Sequence, residues 1–269
     1  MNILVTICAR AGSKGVKSKN MRDFLEYPIC FYTLSAYRLF LEREAHLYGQ
    51  FDLAVNTDSQ QLYDQIDSTG TPYIKVPRKE FLAGDTASKT DVMRDTLKEA
   101  QAQTGKTYDF VVDMDLTSPL RRVEDIKSIV DTFIANPDAE IALSVTESRR
   151  NPYFNQLIKK DDGFFKIAID SNFVARQQAP EVFDANASLY AYSPEFLNET
   201  TKILSQAKLV CSIMPDTAVL DIDSERDFEL MQMLAKYFYE SDDTFGEIHR
   251  NIESFCPKNK KGLFSFLHK

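Results

Sequence analysis

The sequence predicts an α/β protein, a three-layer sandwich built around a mostly parallel sheet, and three observations carry that expectation. Apolar runs of strand length alternate with amphipathic stretches of helix length through the first half of the chain. The chain has 269 residues, enough for one large domain, or for one domain with a smaller appendage. Its composition, 43% hydrophobic and 27% charged, is ordinary for a globular protein and excludes a collagenous or wholly disordered chain.

The elements follow in order. Residues 2–9 read as a buried strand, and 28–42 as a helix with Pro28 in its first turn, where the missing N–H costs nothing. Residues 52–57 read as a strand, 59–67 as a short helix and 73–76 as a strand. Residues 88–102 read as a helix, with Ser88 and Asp91 spaced as a capping box. A strand at 108–114 and a helix at 123–135 complete this alternation. From residue 139 the pattern turns to strands. These lie at 139–146, at 153–159 and 164–169 flanking the hairpin signal Asp161-Asp162-Gly163, and at 186–193. A helix at 194–205, strands at 209–214 and 218–222, and a helix at 224–239 close the series.

The expected organisation is an α/β domain of residues 1–139 and 191–241, a β-rich insertion at 140–190 suited to pairing with another subunit, and a tail at 242–269. Residues 249–269 carry five Lys/Arg against one acid. Two readings apply to that stretch, a frayed terminus and a contact to an anionic surface.

Charge and composition exclude several function classes. Acids outnumber Lys+Arg by 40 to 32, a formal charge of -8, which argues against a general nucleic-acid binder. No stretch approaches the ~20 apolar residues of a membrane span. The N-terminus lacks a basic leader, and Arg10 interrupts the apolar run early, so a cytoplasmic protein is expected. Cys8, Cys30, Cys211 and Cys256 form no CxxC pair and are expected as thiols. The three histidines lie outside any zinc-site spacing.

The densest chemistry follows the first strand. In residues 8–20, Cys-Ala-Arg-Ala-Gly-Ser-Lys-Gly-Val-Lys-Ser-Lys-Asn, four cations (Arg10, Lys14, Lys17, Lys19) fall within ten positions, with Gly12 and Gly15 between them. Glycine lets backbone N–H groups turn toward one anion, and Lys and Arg neutralise phosphate charge. A loop at the carboxyl end of a parallel strand is where α/β sheets place ligands. The spacing matches neither GxxxxGK[ST] nor GxGxxG. The loop reads as a polyphosphate cradle or, at the least, as a solvated basic loop.

Two acid pairs end predicted strands, Asp113-Met114-Asp115 and Asp221-Ile222-Asp223. In an extended chain residues i and i+2 share a side, so each pair aims two carboxylates at one point. Mg²⁺ takes one or two carboxylates and completes its shell with phosphate oxygens and water. Capping is the other reading. Asp223 or Ser224 can cap the helix at 224–239, Ser224 with Asp227 being spaced as a capping box, and Asp115 can cap the turn into Leu116-Thr117-Ser118-Pro119.

Taken together, these segments resemble the acylneuraminate cytidylyltransferases, which make CMP-activated sialic acids. The segments are ICARAGSKGVKSKN; Arg78 with Leu82-Ala83-Gly84-Asp85-Thr86-Ala87-Ser88; Leu116-Thr117-Ser118-Pro119-Leu120-Arg121; Arg176-Gln177-Gln178-Ala179-Pro180; Asn186-Ala187-Ser188-Leu189-Tyr190; and Asp221-Ile222-Asp223-Ser224-Glu225. They fall in the family's order over about residues 3–235. The resemblance implies a nucleotide-diphosphosugar-transferase-like fold and a homodimer in which the insertion reaches the partner's active site. It also implies a Mg²⁺-dependent reaction joining CTP to a nonulosonic acid, with release of pyrophosphate. By the same resemblance Arg10, Ser13, Lys14, Lys19 and Asn20 would hold the CTP phosphates and ribose. Arg78, with the backbone near Thr86, Ala87 and Ser88, would read the cytosine. Asp221 and Asp223 would hold Mg²⁺. Tyr190, Arg176 and Gln178 would face the sugar acid. Arg10, Lys14, Asp115, Asp221 and Asp223 form the expected catalytic set, with Asp115 open between proton acceptor, metal ligand and sugar contact.

The sequence departs from that family at Ala11 and Ala187, where glycine is common. It departs also at Asp115, where sialate-specific members carry glutamine, and at Phe154, where some carry lysine. Most of these changes fall on the sugar side, which points to CTP as nucleotide and to a sialic-acid relative such as legionaminic acid as acceptor. Alternatives are a cytidylyltransferase for 3-deoxy-manno-octulosonate or pseudaminic acid, and a non-catalytic nucleotide-binding regulator of the same fold.

Overall fold

A computed structural model describes residues 1–12, 15–84, 87–199, 203–216 and 222–256, with the side chain of Arg176 set aside. Strand β1 (Asn2–Cys8) leads through the basic loop to a two-stranded ribbon, β2 (Asp23–Phe24) and β3 (Tyr27–Pro28), and then to helix α1 (Ile29–Arg43). Next come β4 (Gln50–Thr57), α2 (Gln60–Asp67), β5 (Ile74–Pro77), α3 (Lys89–Thr104), β6 (Phe110–Met114) and α4 (Val123–Ala135). The second half holds β7 (Ile141–Glu147), β8 (Leu157–Lys159), β9 (Phe165–Ile167), β10 (Phe183–Tyr192), α5 (Pro194–Asn198), β11 (Leu209–Ile213), α6 (Glu225–Ser241) and α7 (Asp243–Phe255).

Seven strands form one sheet in the order β11-β7-β10-β6-β1-β4-β5. Neighbours run parallel except where β10 lies antiparallel between β6 and β7. Alternation along β1 explains the layers, since successive side chains of a strand point to opposite faces. Ile3, Val5 and Ile7 pack with α1, α2, α4, α6 and α7, whereas Leu4 packs with α3 and α5. The three-layer sandwich with a mostly parallel sheet is therefore the fold. The carboxyl ends of β1, β4, β5 and β6 gather at one edge, where the loops beginning at residues 9, 58, 78 and 115 meet.

Two boundaries are corrected. The stretch 140–190 is not one insertion, because β7 and β10 are interior strands of the central sheet, with buried residues along most of β7 and at the end of β10. Only 148–182 stands outside the sheet. It carries the β8–β9 hairpin, in register Leu157↔Ile167, with Gly163 in the left-handed conformation in its turn. The stretch 242–269 is not simply a tail. Phe245, Ile248, Ile252 and Phe255 recur at helical spacing and are buried, docking α7 on α1, and the Ser35 hydroxyl donates to Ile248 O at 2.6 Å. Residues 218–221 of the strand expected at 218–222, and the residues beyond 256, lie outside the described residues. The helix expected at 194–205 is the single turn and a half of α5, followed by a tight turn at Leu204–Gln206.

Candidate active site

At the gathered strand ends a cavity of about 450 Å³ opens, a size suited to a small molecule. Its border brings together Arg10, Gly15, Lys19 and Asn20 from the basic loop, Arg78 after β5, Ala87 and Lys89 at the start of α3, Asp115 after β6, and Asp223 before α6. Of the expected residues, Ser13, Lys14, Thr86 and Asp221 lie outside the described residues.

The basic loop is tied down at both ends. Ala9 N–H donates to Asn56 O at 3.1 Å, and Ala11 N–H donates to Asp58 Oδ1 at 2.7 Å. Asn20, nearly buried, donates from Nδ2 to Arg10 O at 3.1 Å and so closes the loop on itself. The loop then meets a segment two hundred residues later. A Cβ on Gly15 would stand 1.8 Å from Asp223 O, so any side chain there would force the two backbones apart. Lys19 Nζ donates to Ile222 O at 2.6 Å and lies 3.8 Å from Asp223 Oδ1. The Asp223 carboxylate is 82% exposed. Its neighbour Ser224 caps α6 by a reciprocal bond with Asp227, so the capping reading holds for Ser224 and leaves the Asp223 carboxylate to the cleft. A hard, exposed carboxylate at the rim of a cation-lined cavity has the donor chemistry that Mg²⁺ prefers. Among the described residues no group of three or more His, Cys, Asp or Glu side chains gathers to hold a metal alone.

Arg78 donates from Nε to Asn56 Oδ1 at 2.8 Å and from Nη2 to Asn56 O at 3.2 Å, which fixes its guanidinium beside β4. Ser88 turns its hydroxyl to Asp91 as the cap of α3 and does not border the cavity, whereas Ala87 does. Cys8 also borders the cavity, but burial pushes its thiol up to about 12, so it stays neutral.

The first acid pair sits in different surroundings from Asp223. Asp113 is buried; the Thr6 hydroxyl donates to its Oδ1 at 2.9 Å, and Lys89 Nζ lies 2.7 Å from its Oδ2. Asp115 Oδ1 accepts from Thr117 N at 2.8 Å and Oγ1 at 2.6 Å, and its Oδ2 lies 3.8 Å from Lys89. The turn-capping reading of Asp115 therefore holds for one of its oxygens. Burial pushes the Asp115 carboxyl up, but Lys89 and the Thr117 bonds outweigh it and hold the group below the usual carboxylate range. Burial likewise opposes the charge on Lys89, and Asp113 and Asp115 more than reverse that. Arg121, fully buried, donates to Ser188 Oγ, to Ser188 O and to Asp115 O, fastening this turn to β10. Burial brings its guanidinium down to about 10, still cationic at neutral pH.

Sequence reasoning missed Lys89. The signal was present: a lysine in the first turn of a helix opposes the macrodipole and needs a tertiary reason. Tyr190 lies beneath the Lys89 ammonium, 4.4 Å from it, rather than on the cavity border. The turn Arg176–Gln178 is on the projecting segment, and Gln178 does not border the cavity; its Oε1 accepts from Val174 and Ala175 N–H. All four cysteines are thiols, and no helix among the described residues is long and apolar enough to cross a membrane.

Residues 4–243 match the family model for cytidylyltransferases. Post-translational flagellin modification protein B of Campylobacter coli is 34% identical over 87% of this chain and 95% of its own. The CMP-N,N'-diacetyllegionaminic acid synthase of Campylobacter jejuni is 32% identical over 86% of this chain and 94% of its own. In fold the chain resembles a CMP:2-keto-3-deoxy-manno-octonic acid synthetase solved with CTP. That likeness has a TM-score of 0.61 at 14% identity, over 88% of this chain and 99% of the other. At that identity the likeness speaks for the fold alone. The match along nearly the whole α/β domain, carried through by relatives of the same extent, means that the chain belongs to the cytidylyltransferase family and is a nucleotidyltransferase.

Proposed function

We propose that this enzyme joins CTP to a nonulosonic acid, sialic acid or a relative such as legionaminic acid, giving the CMP-sugar and pyrophosphate. The observation that carries the reading is the convergence of the basic loop, through Gly15 and Lys19, on the Ile222–Asp223 segment at one cavity. Two of the relatives bear on the acceptor: one is named for the legionaminic product, and an N-acylneuraminate cytidylyltransferase of Streptococcus agalactiae is 27% identical.

In this reading Arg10, Lys19 and Asn20, with Ser13 and Lys14, bind the triphosphate and ribose. Arg78 and the backbone at 86–88 take the cytosine. The acceptor's anomeric hydroxyl attacks the α-phosphorus and pyrophosphate leaves in line. Charge grows on the phosphoryl oxygens, and fixed cations at the right distance are the protein's main contribution. Asp221 and Asp223 would hold Mg²⁺, which when bound neutralises phosphate charge and orients the leaving group. The projecting segment 148–182 exposes Leu157, Ile158, Phe164 and Phe165, an apolar surface that a second copy would cover. A homodimer of this kind brings Arg176 and Gln178 to the sugar side of the partner's cleft. A reaction fed by CTP belongs in the cytoplasm.

A pyrophosphate-release assay tests the reading. With the four nucleoside triphosphates and a panel of nonulosonic acids, release is expected with CTP and to be fastest with legionaminic acid. Equal or faster turnover of N-acetylneuraminate would remove the legionaminic assignment, and no release with any member of the panel would remove the reaction.

A further inference from the structure

The Lys89 ammonium sits where two carboxylates and one aromatic face meet. It is 2.7 Å from Asp113, 3.8 Å from Asp115 and 4.4 Å from the centre of the Tyr190 ring. Its place in the first turn of α3 runs against the helix dipole, so these partners hold it there. The two carboxylates differ in what remains to them. Asp113 is 2% exposed and has both oxygens engaged, one by Thr6 and one by Lys89. Asp115 has one oxygen on Thr117, the other toward Lys89, and its side chain is 26% exposed on the cavity border.

We propose that Lys89 is a positioning residue for the acceptor half of the cleft: braced by Asp113 and the Tyr190 ring, it fixes the Asp115 carboxylate so that its Oδ2 accepts a hydrogen bond from a hydroxyl of the acid sugar. The proposal rests on the cytidylyltransfer reading above. It also chooses among the roles open to Asp115. Among the described residues, the charged groups facing that carboxylate are Lys89 from α3, Asp113 from β6 and Arg121 from the loop after β6. Tyr190 and Tyr192 stand on β10, the latter with its phenol pushed up by burial, and Cys8 on β1 is neutral. Two cations face one other anion. A carboxylate so held takes up a proton poorly, so Asp115 serves as an acceptor of hydrogen bonds that orients the sugar, and not as the base that removes its proton.

Lys89→Met alone strands the buried Asp113 charge, so the informative protein is the double variant Asp113→Asn/Lys89→Met, in which both buried charges disappear together. Asp113→Asn, which keeps the ammonium, is its control. Carbon-13 NMR of aspartate carboxyl groups then follows the Asp115 titration in the absence of substrate. The Asp115 midpoint is expected to rise by about one pH unit in the double variant, to stay at or below the wild-type value in Asp113→Asn, and to stay low in Lys89→Arg. KM for the acid sugar is expected to rise about tenfold or more in the double variant, with KM for CTP within about twofold, as misplacement of a charged hydrogen-bond acceptor implies. An Asp115 midpoint equal in the double variant and in Asp113→Asn would overturn the proposal, as would a rise in the CTP KM matching that for the sugar. If no acid sugar is turned over, the NMR titration still judges Lys89, and only the proposed reaction falls.

Discussion

The two aspartate pairs read alike in the sequence, yet Asp113 and Asp115 stand in surroundings opposite to those of Asp223. Asp113 lies in β6, a strand buried along its whole length, Asp115 directly follows that strand, and the two share the ammonium of Lys89. Asp223 leads into α6 with its carboxylate 82% exposed. The i, i+2 spacing delivers two carboxylates to one side of a strand, and what they do there is decided by elements far away in sequence. At β6 an internal cation satisfies Asp113 and braces Asp115, whose carboxylate stays on the cavity border. At the start of α6 the charge faces solvent beside Lys19, where phosphate and a divalent ion would bind.

The sharpest way to break this contrast is to remove the internal cation. Lys89→Met leaves Asp113 buried without its ion partner, and is expected to cost about 3 kcal/mol of stability, the usual scale for a buried pair that loses one member. Urea unfolding at neutral pH measures it. A loss no larger than that of an average surface substitution, about 0.5 kcal/mol, would mean that Asp113 does not depend on Lys89.

How much of this was legible beforehand follows the range of the forces involved. The sheet and its layers were readable because period-two and period-3.6 patterns are local, as Ile3, Val5, Ile7 against Leu4 illustrate. The basic loop was readable because its charges and glycines are contiguous. The place of β10 was not, since an antiparallel strand inserted between β6 and β7 has the same local pattern as a strand of a separate unit. The helix at 243–255 carried its own periodicity in Phe245, Ile248, Ile252 and Phe255, but the basic charges that follow drew the reading toward a frayed end. Lys89 depends on a contact between residues 24 positions apart. Only its conflict with the helix dipole showed in the sequence.

At Asp223 the expected effect moves from stability to turnover. Asp223→Asn keeps the size and hydrogen-bonding shape of the side chain and removes its charge from the rim. Turnover with CTP is expected to fall ~10²-fold, the scale on which a preorganised charge contact acts in a transition state. The urea midpoint should barely move, because a charge so exposed contributes little to folding. Near-normal turnover of the folded variant would separate Asp223 from the chemistry and leave the contrast between the pairs without its functional half.

The smallest effect tests whether capping and chemistry are separable at the same turn. Ser224 accepts from Asp227 N–H at 3.2 Å while Asp227 Oδ2 accepts from Ser224 N–H at 2.8 Å, a reciprocal pair that satisfies two donors at the start of α6. Ser224→Ala removes the hydroxyl half and is expected to cost about 1 kcal/mol of stability, read as a lower urea midpoint. The Asp227 side chain still receives the Ser224 N–H, so the backbone course past Asp223 is preserved and turnover should stay within about twofold. If turnover instead falls as far as in Asp223→Asn, the hydroxyl itself takes part in holding the ligand, and the division between a capping residue and a ligand-facing carboxylate one position apart no longer describes this turn.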